Sequence, residues 1–147
     1  MKGLNLSEWA LKHQSLTQFF IVVVAVFGLF LAGLGLMSWL APAQVRRLLS
    51  GFAATAGRHW LELAVRAAVG MALVIAAPGL PASGLLRLFG GVLLATTLVM
   101  AMLPWRWHQR FSAQRVPRAL SFLGLIGGVS LAAGLGLLAA AWQGLAR

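Results

Sequence analysis

The sequence predicts an all-α integral membrane protein: four transmembrane helices as two tandem helical hairpins, behind an amino-terminal interfacial amphipathic helix. Three observations carry that expectation. Of 147 residues 61% are hydrophobic and 10% charged, with a mean hydropathy of +0.89; a soluble domain is about 45–50% apolar and about 25% charged. Four runs are long and apolar enough to cross roughly 30 Å of hydrocarbon. Trp39, Trp60, Trp105, Trp107 and Trp142 fall near the ends of those runs, as interface anchors whose rings sit in the apolar layer and whose N–H groups stay near water. This composition excludes an ordinary water-soluble globule and a disordered tail, and the length allows one domain.

Residues 1–18 read as the interfacial segment. Asn5 is placed to cap a helix, with Glu8 three positions on completing the capping pattern. Leu6, Trp9, Ala10, Leu16 and Phe20 share one side and Lys12 lies elsewhere, the distribution of a helix lying in the interface plane. Residues 19–147 form a single four-span domain. The first span, Phe19 to Leu40, contains no charge. Lys2 and Lys12 precede it and Ala41-Pro42-Ala43 follows, yet the apolar run is longer than a signal sequence needs and proline interrupts the small-residue motif, so the span is expected to remain.

The second span runs from about Leu61 to Leu80 and carries Glu62 and Arg66 in its first turns. Pro78-Gly79-Leu80-Pro81 then breaks the chain. The third runs from about Leu85 to Leu103, with Arg87 near its start and Pro104 after its end, and the fourth from Ala119 to Trp142 without a charge.

Arg46, Arg47 and Arg58 lie between the first two spans, and Arg106, Arg110, Arg115 and Arg118 between the last two. Only Lys2, Lys12, Arg87 and Arg147 belong to the other side. By the positive-inside bias both long loops are cytoplasmic and both termini outside. A formal net charge of +10 would suggest nucleic acid in a soluble protein. Here the basic residues occupy gaps between apolar runs, so anionic lipid headgroups are the expected partner and nucleic acid is not. Val45, Leu48, Leu49 and Phe52 can share an apolar side in the first loop, and Trp105, Trp107 and Phe111 interleave with Arg106 and Arg110 in the second. Both loops are expected to lie partly as helix in the interface.

The chain also reads as a tandem duplication, repeat 1 over about 19–80 and repeat 2 over about 85–147. Pro42 to Ser50 corresponds to Pro104 to Ser112, each placing proline at the membrane exit, then basic residues, then an apolar pair before serine. Ala64, Ala68, Ala72 and Ala76 recur every fourth position in the second span, as do Gly124, Gly128, Ala132, Gly136 and Ala140 in the fourth. Small residues let helix backbones approach closely, a main source of association in lipid. A membrane-protein partner or a second copy of the chain is therefore expected. The repeats keep one orientation, whereas inverted repeats point to alternating-access transport.

Chemistry is sparse. Glu62 and Arg66 stand four apart in the favourable order for an ion pair on one helix face. His13, His59 and His108 lie in separate segments with no zinc-site spacing, and the chain has no cysteine and no aspartate. Ser50 and Ser112 have no acid to orient a neighbouring histidine, which nucleophilic catalysis requires. Thr96, Thr97 and Ser130 are expected to bond to carbonyls of the preceding turn. No enzyme activity, cofactor or metal is expected.

Residues 1 to about 30, beginning Met1-Lys2-Gly3-Leu4-Asn5-Leu6-Ser7-Glu8-Trp9-Ala10-Leu11-Lys12-His13-Gln14-Ser15-Leu16 and continuing into the apolar run, resemble the start of resistance-nodulation-division (RND) efflux permeases. The resemblance implies an interfacial helix leading into a first span, a bacterial inner (cytoplasmic) membrane, and a cytoplasmic amino terminus, which opposes the charge count. Such permeases are far longer and relay protons through intramembrane acids paired with lysine. This chain has no aspartate and no lysine after Lys12, so the family's transport activity is not carried over. Pro104-Trp105-Arg106 and Pro117-Arg118 resemble the linker of small two-helix inner-membrane proteins of unknown function. Two functions follow as expectations: a non-catalytic accessory or scaffold acting through helix–helix association, or a small efflux-associated transporter component. Binding of anionic lipid is a third.

Overall fold

The computed structural model describes residues 13–51, 55–104, 106–107, 110 and 120–146. Most of the expected amino-terminal interfacial helix, and Trp105, Arg115 and Arg118, lie outside these residues. Five helices are described: α1 (Gln14–Leu40), α2 (Pro42–Gly51), α3 (Ala56–Ala76), α4 (Ser83–Met102) and α5 (Leu123–Leu145). A 3₁₀ turn, Ala77–Gly79, extends α3, and another, Leu120–Phe122, leads into α5. With those turns, four helices are long and apolar enough to cross a membrane: Gln14–Leu40, Ala56–Gly79, Ser83–Met102 and Leu120–Leu145. The chain is an all-α, multi-pass membrane protein.

Its outer surface agrees with that reading. Val26, Leu29, Leu61, Leu98, Leu125 and Val129 are each more than 60% exposed, distributed over all four long helices. Water would penalise so continuous an apolar surface, whereas lipid tails cover it at no cost.

The long helices pack as a succession of neighbours, α5 against α1, α1 against α3, and α3 against α4. In chain order the two expected hairpins would pair α1 with α3 and α4 with α5. The tightest packing, however, joins α1 to α5 and α3 to α4, so it runs between the two proposed repeats and not within them.

The α1–α5 seam has a period of three and a half residues. On α1 the buried positions are Thr17, Ile21, Val24, Gly28, Gly35 and Ser38, alternating steps of three and four once half-buried Leu31 is included. On α5 and its leading turn, Leu120, Leu123, Gly127, Gly134 and Ala141 are buried, with Ser130, Leu137 and Gly144 half-buried between and beyond them. This is the seam of two helices wound gently around each other. Polar members satisfy themselves locally: the Ser38 hydroxyl donates to the Leu34 carbonyl at 2.8 Å, and the Thr17 hydroxyl to the His13 carbonyl at 3.2 Å.

Ile21, Val24, Val69, Ala72, Leu73 and Ala76 form the main core with Leu80, Leu86 and Ala141. A smaller cluster at the other end sets Val45 of α2 against Leu120 and Leu123, flanked by Leu34 and Leu49. Helix α2 is thus a short amphipathic arm folded back across the start of α5, its Arg46 and Arg47 exposed.

The second span starts earlier than its hydropathy suggests. Thr55 caps α3, its hydroxyl oxygen accepting from the Arg58 N–H at 3.3 Å, which brings Arg58 and His59 inside the helix. The turn after α3 falls where Pro78 and Pro81 place it, and Ala82 takes a left-handed conformation (φ 56°) before α4.

Candidate functional site

Arg66 lies ten residues after Ala56, the first residue of α3, about 15 Å along the helix. Arg66 and Glu62 form the expected i,i+4 pair, with Nη1 3.8 Å from Oε1; the two side chains are 30% and 21% exposed. Sequence reasoning missed that the guanidinium also reaches across to α4. Its Nε donates to the Thr97 hydroxyl oxygen at 3.3 Å and its Nη2 to that of Thr96 at 3.0 Å.

Both threonines are prepared as acceptors. Thr97 directs its hydroxyl hydrogen to the Leu93 carbonyl at 2.6 Å, and Thr96 directs its own toward the carbonyls of Val92 at 2.9 Å and Leu93 at 3.0 Å. With each hydrogen committed to the preceding turn, the oxygen lone pairs are left for the cation. The expected back-bonding of Thr96 and Thr97 is present, and it makes the partner for Arg66. An adjacent threonine pair facing an arginine on the neighbouring span was the available signal. The result is a polar clamp joining α3 to α4 within the apolar layer. Below it the same two helices touch at Gly70 and Gly90, where a Cβ at 90 would stand 2.8 Å from the Gly70 carbonyl oxygen.

The small-residue stripes divide. Ala72, Ala76 and Ala140 are buried; Ala64, Ala68, Ala132 and Gly136 are exposed. Along the α1–α5 seam the glycines that bring the two backbones together are instead Gly28, Gly35, Gly127 and Gly134. The reason is geometric. Each four-residue step turns a helix by about 40° beyond a full circle, so a stripe of fixed spacing winds off any straight face. Gly124 and Gly128 do a different job, supporting the Trp39 indole: Cβ atoms built there would lie 3.8 and 3.6 Å from its ring. Trp39 Nε1 donates to the Gly124 carbonyl at 3.1 Å.

Of the remaining expected anchors, Trp60, Trp107 and Trp142 are at least 59% exposed, near helix ends. Arg46, Arg47, Arg58, Arg106 and Arg110 are exposed at the end of the bundle that holds the two long connections. His59 is 2% exposed and meets Trp60 edge-on, ring centroids 5.8 Å apart.

Among the described residues lie two large apolar clefts. One, of about 530 Å³, separates α4 from α5 over a floor of Phe27 and Leu31; Phe89 walls one side, and Ala133, Gly136 and Ala139 the other. The second, of about 610 Å³, lies in the elbow between α1 and α2. Neither is lined by Glu62, Arg66, Thr96 or Thr97. Comparison with known protein families, curated proteins and solved structures returns no match. The functional reading therefore rests on this geometry.

Proposed function

We propose that the protein is a non-catalytic accessory or scaffold subunit of a bacterial inner membrane, and that it receives a transmembrane helix of another membrane protein in the α4–α5 cleft. One observation carries the reading: a Cβ built on Gly136 meets nothing within 4 Å, although this glycine is part of the cleft wall. Two residues earlier, Gly134 is packed backbone to backbone. Helix α5 thus turns one glycine face inward and holds a second lane of small residues, Ala133, Gly136 and Ala139, open to the bilayer. In lipid, where apolar burial drives little, such a lane offers close van der Waals approach to a neighbouring helix. The loop arginines orient the long connections toward the cytoplasm by the positive-inside bias.

The carrier reading fits the geometry less well. An ionisable group inside a membrane commonly marks an ion path, but Arg66 is engaged by two threonine hydroxyls away from both clefts. The polar group supports α3–α4 packing.

The test is mild-detergent purification from the native membrane, with mass spectrometry of what accompanies wild type and Gly136→Leu. The reading expects a specific membrane protein with wild type, lost or reduced at least fivefold with Gly136→Leu while helicity is unchanged. Recovery of the same partner with both chains, or of wild type alone, overturns it.

A further inference from the structure

The α1–α2 elbow differs in chemistry from the cleft beside α5. Its lining is almost wholly aliphatic and aromatic: Val26, Phe30 and Met37 of α1 and Leu48 of α2, with Gly33 opening space between them. Helix α1 from Val26 to Met37 spans about 16 Å, close to one leaflet, half of the roughly 30 Å hydrocarbon thickness. A groove of that length, apolar along α1 and polar only at Gln44, suits an acyl chain.

The two ends of the groove are unlike. Toward Val26 it continues into the apolar surface of α1. At the other end it is roofed by α2, where Gln44 lines it. Arg47, three residues on, is a neighbour of Gln44 on the helix surface, and Arg46 adds a second exposed charge. Val45 is 3% exposed and packed on Leu120 and Leu123, which fixes α2 so that its basic side cannot turn into the bundle. An apolar slot one leaflet deep under a basic rim is complementary to a single anionic phospholipid.

We propose that the α1–α2 elbow is a binding site for one anionic phospholipid: an acyl chain lies along α1 past Gly33, and the phosphate is held at Gln44 and Arg47, with Arg46 adding to the local field. This goes beyond a general attraction of the loop arginines for the membrane, because it needs the groove as well as the charge. It is also independent of the α4–α5 cleft.

Gly33 makes the two requirements separable. A Cβ there meets nothing within 4 Å, so Gly33→Leu fills the groove without touching the α1–α5 seam or changing any charge. The experiment is native mass spectrometry of the full chain released from nanodiscs of equimolar phosphatidylglycerol and phosphatidylcholine with identical acyl chains. Wild type is expected to retain one phosphatidylglycerol at least threefold over phosphatidylcholine. Gly33→Leu should lose that adduct at least threefold, and so should the Arg46→Gln/Arg47→Gln pair. Gly91→Leu, at another glycine with open space, should retain it. Equal retention of the two lipids by wild type overturns the proposal, as does an undiminished phosphatidylglycerol adduct in Gly33→Leu. A second copy of the chain displaced by Gly33→Leu, with lipid unchanged, would assign the groove to protein and overturn it too. Circular dichroism and thermal unfolding of each variant separate loss of lipid from loss of fold.

Discussion

Gly35 and Gly127 meet backbone to backbone. A Cβ on Gly35 would stand 2.6 Å from the Gly127 carbonyl oxygen, and one on Gly127 would stand 3.1 Å from the Gly35 carbonyl oxygen. Seven residues along each helix, in opposite directions, Gly28 and Gly134 repeat the relationship. Seven further, Ile21 and Ala141 share the main core. The spacing keeps one glycine face of each helix turned to its partner over four turns, which no fourfold stripe could do.

Gly134→Ala is expected to separate α1 from α5. The new methyl would press on the Ala32 backbone nitrogen and come within 2.6 Å of the Gly28 carbonyl oxygen, neither of which can swing aside. A loss of roughly 1–3 kcal/mol, typical of overpacking, should appear in denaturant or thermal unfolding of the purified protein in detergent. Gly136→Leu, two residues away, should leave the same midpoint unchanged. Equal effects from both would contradict the seam.

The α3–α4 clamp should behave as a coupled unit. Arg66→Met removes the cation facing Glu62 and the donor to both threonines, and is expected to cost about 1–3 kcal/mol, the scale of hydrogen bonds to a charged group. Adding Glu62→Gln should recover part of that loss. Thr97→Val keeps the shape and removes one acceptor, for about 1 kcal/mol. A double-mutant cycle on Arg66 and Thr97 should return a coupling of ~0.5–1.5 kcal/mol, and strict additivity would show that the clamp does not form.

Ala82 occupies the left-handed region with φ 56°, which costs an L-residue roughly 1 kcal/mol or more and glycine almost nothing. Ala82→Gly is expected to raise stability by up to about 1 kcal/mol, and Ala82→Val to lower it by at least as much. Thermal midpoints of the three proteins should therefore rank glycine, alanine, valine.

Trp39→Phe retains an aromatic ring over Gly124 and Gly128 and deletes the 3.1 Å bond to the Gly124 carbonyl. The expected cost is about 1 kcal/mol. Comparing Trp39→Phe with Trp142→Phe, whose side chain is 74% exposed, provides the reference; a larger loss at position 142 would argue against the bond.

Apolar length made the spans legible, because hydrocarbon thickness fixes it, and the Pro78–Pro81 turn was visible because proline cannot continue a helix there. The Glu62–Arg66 pair followed from spacing along a single helix. What hydropathy could not show was the start of α3, since Arg58 and His59 lower the average while Thr55 caps the helix ahead of them. Nor could it rank glycines: α5 contains Gly124, Gly127, Gly128, Gly134, Gly136 and Gly144, and only the partner's position separates those that pack from those that stay open. The contacts of Arg66 with Thr96 and Thr97 were hidden for the same reason, because they form between helices thirty residues apart in sequence.

The α1–α5 seam also sets an order of events during synthesis. The first span emerges about a hundred residues before the glycines that cover it, which at 5–20 residues per second is roughly 5–20 s of translation. Throughout that interval the strip of Gly28 and Gly35 faces lipid or the insertion machinery, and the bundle closes only when its last helix enters. A ribosome stalled after α4 would thus leave the membrane a chain with its most adhesive surface bare.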